Sequence, residues 1–199
     1  MNNAKNLKIK QIDKKNISFK ELSLIKNMIF WVDIIPDDQT NKNAIFAKPF
    51  NDKNAIPQKL TGDNFYIKSN FHGYGGKSYQ CIEVNDQIYL IWVDQLSKAM
   101  WLKIFKVQEK VPKNDNEYLL CDMEPRQLTE SIKTNFDTSF VISKNNLLFG
   151  LCEIKHRDYL FSLNLKKTKQ EIRIIKKFDN FAGNLSSNIS ADLFSWIEW

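Results

Sequence analysis

The chain reads as all-β, built from antiparallel four-stranded blades of an incomplete β-propeller. Three observations predict this: a strongly apolar strand closing on an acid recurs four times, β-branched and aromatic residues crowd short runs bounded by turn formers, and helical periodicity is weak. The recurring strands are Ile29-Phe30-Trp31-Val32-Asp33, Leu90-Ile91-Trp92-Val93-Asp94, Phe149-Gly150-Leu151-Cys152-Glu153 and Phe194-Ser195-Trp196-Ile197-Glu198. Their closing acids stand 61, 59 and 45 residues apart, close to the ~40–50-residue spacing of propeller blades with loop insertions. Strands this apolar suit the middle of a sheet covered on both faces, as in blades stacked around an axis.

The elements follow in order. Residues 1–16 form a polar, Lys- and Asn-rich extension, and residues 17–199 carry the blades. The first hairpin runs from Phe19 to Ile25, turns at Lys26-Asn27 and returns from Met28 to Ile34. In the second, Ser78 to Val84 turns at Asn85-Asp86 into Gln87 to Val93, and Ser97-Lys98 leads to a third strand from Ala99 to Val107. In the third, Ser139 to Ser143 turns at Lys144-Asn145 into Asn146 to Ile154, and His156-Arg157-Asp158 leads to Tyr159 through Leu165. The last pairs Asn184 to Ser190 with the final strand through Ala191-Asp192. Asn51 to Asn70 and Gln108 to Glu130 hold Pro57, Pro112 and Pro125 among polar residues, and they read as inter-blade connections. Roughly ten or eleven strands fill fewer than three blades, short of the ~4–8 blades that close a propeller. The expectation is therefore a truncated or split product with open blade edges.

Composition narrows the function classes. The 199 residues are 43% hydrophobic and 13% aromatic, as in a globular protein. No apolar run approaches the ~20 residues of a membrane span, and the Lys-rich start lacks an apolar signal core, so no membrane partner and a cytoplasmic location are expected. Cys81, Cys121 and Cys152 are isolated and odd in number, without ligand spacing to a second Cys or His. They imply neither a disulfide framework nor a metal site. The net charge of +6 raises nucleic acid as a partner. Its positive residues are nearly all lysines, spread along the chain among Asn, Asp and Glu, so no nucleic-acid partner is expected.

Several motifs carry less chemistry than they suggest. In His72-Gly73-Tyr74-Gly75-Gly76-Lys77-Ser78 a phosphate loop would need glycine where Phe71 stands, and a helix where a strand follows. None of the six glycines brackets a serine as Gly-x-Ser-x-Gly, and His72 and His156 are the only histidines available as a base. Asp33, Asp94, Glu153 and Glu198 could be imagined as a glycosidase carboxylate set. Their equivalence by repeat favours a structural role. No catalytic residue, metal or cofactor is predicted.

Lys68-Ser69-Asn70-Phe71-His72-Gly73-Tyr74-Gly75-Gly76-Lys77 resembles the R-S-x-V-H-E-Y-G-G-G segment in the propeller of dipeptidyl aminopeptidase/acylaminoacyl-peptidase-like members of the prolyl oligopeptidase family (peptidase family S9). Leu60-Thr61 is similar to the family's L-T-P connection, and Asp179-Asn180-Phe181-Ala182-Gly183 through Trp196-Ile197-Glu198-Trp199 resembles its D-F-x-G … W-x-E-W stretch. Gly73 stands where the family has Glu, and Lys77 where it has a third Gly. The resemblance singles out His72, Tyr74, Gly75 and Gly76 as a structural motif. It also implies that the Ser-Asp-His triad belongs to an α/β-hydrolase domain absent here, leaving this chain non-catalytic. The complete enzyme would admit peptides through the propeller and exclude folded chains by size. The implied partners are a complementary peptidase chain or a second copy bound through open blade edges. A stand-alone or split propeller module for protein–protein interaction is the alternative.

Overall fold

The computed structural model describes residues 20–35, 42–73, 75–108, 117–121, 123–131, 133–188 and 191–199. They form fifteen strands and no helix. The first sheet takes β1 (Lys20–Ile25), β2 (Met28–Ile34), β3 (Asn43–Pro49) and β4 (Gln58–Lys59) in sequence order. The second takes β5 (Tyr79–Val84), β6 (Gln87–Asp94) and β7 (Ala99–Val107), with β8 (Leu119–Leu120) and β9 (Arg126–Gln127) sharing the outer edge of β7. The third takes β10 (Asn135–Ile142), β11 (Leu147–Ile154), β12 (Arg157–Asn164) and β13 (Arg173–Lys177), and β14 (Ala182–Ser187) pairs with β15 (Phe194–Glu198). All named pairs are antiparallel.

The first strands of successive sheets pack on one another, β1 on β5, β5 on β10 and β10 on β14. That is the arrangement of propeller-like blades, each presenting its first strand inward. The middle strands sit deepest: Phe30, Leu90, Ile91, Trp92, Leu151 and Cys152 are essentially inaccessible because both faces of their sheets are covered. One apolar cluster joins blades one and two, a second joins two and three, and a third joins three and the β14–β15 pair.

The hairpins at Lys26-Asn27 and Asn85-Asp86 fall where the sequence places them, with both turn residues at positive φ. Two such residues match the twist of the flanking strands. The third blade differs from expectation. Its β11–β12 turn is Lys155-His156, both at positive φ, so Arg157 and Asp158 already belong to β12. A two-residue turn keeps the pairing continuous from Ile154↔Arg157 to Leu147↔Asn164. The strand count also needs correction. Three blades have their outer strands, because the supposed connections contain β4, β8 and β9, and β13 follows β12. These pieces are too short or too exposed to show the alternation that betrays a strand. In the last hairpin β14 begins at Ala182, and Asn188 Oδ1 accepts from the Asp192 and Leu193 N–H groups.

Candidate functional site

The segment from Leu60 to Ser78 leaves β4 and crosses three blades before entering β5. At its start the Ile45 N–H donates to Thr61 Oγ1 at 3.1 Å. Met100 N–H donates to Thr129 Oγ1 at 3.0 Å at the equivalent position of the next blade. Leu60 and Leu128 are buried beside these threonines. The repeated Leu-Thr dipeptide is a signal that the sequence reading caught only once.

Further along, Asp94 anchors the strap. Its Oδ1 accepts from the Tyr66 N–H at 2.8 Å, while Oδ2 accepts from the Ser97 N–H at 2.8 Å and the Ser97 hydroxyl at 2.6 Å. The Ser69 hydroxyl then donates to Phe136 O in the third blade at 2.6 Å and accepts from the Phe71 N–H.

His72 is the knot of this crossing. Its N–H donates to Glu153 Oε2 at 3.0 Å, and its ring Nε2 lies 2.7 Å from Asp158 Oδ2. The same Asp158 oxygen accepts from the Ala182 N–H at 2.7 Å, which ties in β14. Phe71 stacks on the imidazole, and Phe181 and Trp199 meet it edge-on. Both side chains are enclosed, His72 being 6% and Asp158 1% exposed. A histidine–aspartate pair is the orienting half of a proton relay, and here its ring is packed among Phe71, Phe181 and Trp199. The arrangement ties the strap to the third blade and to the β14–β15 pair.

The glycines complete the turn. Gly75 has φ +89, and a Cβ there would lie 3.0 Å from Ser69 O, while one on Gly76 would lie 2.6 Å from Asp137 Oδ1. Gly73 is also left-handed but has nothing within 4 Å of its added Cβ, so its constraint is conformational alone. Tyr74 lies outside the described residues. Of the four motif residues, the structure thus places His72 and Gly76 against blade three and Gly75 against the strap's own Ser69.

Sequence reasoning missed three acids. Glu21, on β1 with φ 57, accepts from the Ser78 N–H and hydroxyl and joins blades one and two. Burial pushes its carboxyl up, opposed by these hydrogen bonds. Asp137 is likewise raised by burial, opposed by hydrogen bonds from Ser139 and the Lys77 backbone. Asp158 was placed in a turn. Their long-range partners, Ser78 for Glu21, Lys77 for Asp137 and His72 for Asp158, stand 57 to 86 residues away in sequence, where no short-range pattern marks them.

The four closing acids do not converge. Asp33 accepts from its neighbour's Ile34 N–H, Asp94 and Glu153 hold the strap, and Glu198 is exposed on β15. Cys81 and Cys152 are buried, and burial raises both thiols. Among the described residues no group of three His, Cys, Asp or Glu side chains could hold a metal, and no helix is long and apolar enough to cross a membrane.

The fold and this junction define a class of protein, one built of propeller-like blades cross-tied by a strap. No protein-family model and no curated protein matches the chain. Among solved structures it is similar to a Mycobacterium tuberculosis puromycin-hydrolyzing peptidase, with a TM-score of 0.70 at 13% identity. The match covers 92% of this chain and 26% of that one, so the chain spans about a quarter of the peptidase's length. At this identity the likeness is one of fold.

Proposed function

We propose that this chain is the N-terminal propeller part of a prolyl oligopeptidase-family serine peptidase, of the dipeptidyl/acylaminoacyl-peptidase-like kind. It is non-catalytic by itself, and in the complete enzyme it gates the access of peptides. The observation that carries this reading is the fold shared with a peptidase over 92% of the chain. The Lys68–Lys77 resemblance supports it, since those residues form the blade-crossing strap. The enclosure of His72 and Asp158 supports a non-catalytic role. Three free cysteines, two of them buried, suit the reducing cytoplasm.

Physically, a ring of blades admits an extended peptide and turns away a folded chain. The test is a chimaera in which this chain replaces the matching quarter of the mycobacterial peptidase. The chain alone should neither hydrolyse puromycin nor react with a fluorophosphonate probe, and the chimaera should cleave short substrates while sparing a folded protein carrying the same sequence. Labelling of the chain alone would overturn the non-catalytic assignment. A chimaera that cuts folded and short substrates alike would overturn gating.

A further inference from the structure

The basic residues look scattered in sequence, but the fold gathers one group on the outer rim of the third blade. From Lys166 to Lys177 there are six cations, Lys166, Lys167, Lys169, Arg173, Lys176 and Lys177, against the single acid Glu171. All six are exposed. The loop that carries the first three is fixed in place: Lys169 N–H donates to Gln127 O and Gln170 N–H to Leu128 O, both at 3.1 Å.

This group flanks an unusual edge. The other outer strands, β4, β8 and β9, are two residues long, whereas β13 has five, every one exposed. Among the described residues it pairs with β12 alone, on its inner side. Its outer edge therefore offers backbone donors and acceptors to another strand, beside Ile174 and Ile175 at 43% and 47% exposure. Lys176 is engaged over the Phe178 and Trp196 rings, leaving the remaining cations to set the potential of the edge.

Lysines on an open edge repel a second basic edge, this chain's own β13 included. The same charges attract an acidic strand, so the device that prevents self-pairing selects a partner. We infer that β13 is a docking edge for an acidic, extended polypeptide segment, which adds as a strand through backbone hydrogen bonds and seats apolar side chains on Ile174 and Ile175.

The test uses the 199-residue chain and a fluorescent peptide of about ten residues alternating Glu with Val. Two further probes carry N-methyl groups on alternate amides, one set along each edge. Fluorescence anisotropy should show binding of the parent probe and of one methylated form, with affinity reduced about tenfold or more for the other. Lys166→Glu/Lys167→Glu, checked for native far-UV circular dichroism, should weaken the parent probe by a similar factor. Equal binding of the two methylated forms would reduce the contact to charge alone and overturn the proposal. So would equal binding of a Lys/Val probe, no binding of the Glu/Val probe, or binding confined to phosphatidylserine vesicles.

Discussion

At the scale of the residue, buried acids hold the blades together at an electrostatic cost. Glu21 accepts three hydrogen-bond contacts from Ser78 across the first blade junction, yet burial keeps its carboxyl above the ordinary range. A raised carboxyl takes up a proton more readily in the folded state than in the unfolded chain. Stability from this group is therefore greatest below the unfolded value near ~4.3 and falls as pH rises through the raised folded value. Glu21→Gln retains an acceptor for the Ser78 N–H and removes the charge. Its urea midpoint, compared with that of the parent between about pH 4 and 7, should gain on the parent as pH rises and then level off. A constant difference across that range would show that Glu21 titrates as it does in the unfolded chain.

At the scale of the element, the bulged first strand of the third blade packs around a glycine. β10 carries its irregularity between Asp137 and Val141, opposite Gly150 of β11. Gly150 interrupts an apolar strand, and a Cβ there would lie 2.7 Å from the Phe140 ring and 2.9 Å from Phe161. Glycine is required by the aromatic side chains that cross it. Gly150→Ala should cost about 1–3 kcal/mol by overpacking, and Phe140→Leu added to it should recover part of the loss. Urea denaturation of the two variants and the double variant measures this; strictly additive losses would mean that Phe140 is not what excludes the methyl group.

At the scale of the molecule, the blades are unequally secured. Blades one to three have their outer strands, while β14 and β15 form a two-stranded sheet held through Asp158, Phe178 and the strap. Their amides should exchange with deuterium faster than those of β6 and β11. Asp158→Ala removes the acceptor shared by His72 and Ala182, and should destabilise the fold by about 1–3 kcal/mol by leaving buried donors unsatisfied. It should also speed exchange across Ala182–Ser187 more than across β6. A uniform rise in every strand would place Asp158 in the global core and not at the junction.

The local pattern by itself determined the all-β class and the hairpins at Lys26-Asn27 and Asn85-Asp86, because strand alternation and turn residues are properties of neighbours in the chain. Tertiary structure decided the outer strands and the blade junctions. A two-residue strand such as β4 exists only because β3 offers it an edge, and Asp158 acquires its role from His72, 86 residues away. Such pairings depend on which blade stacks on which, and that information resides in the packed sheets.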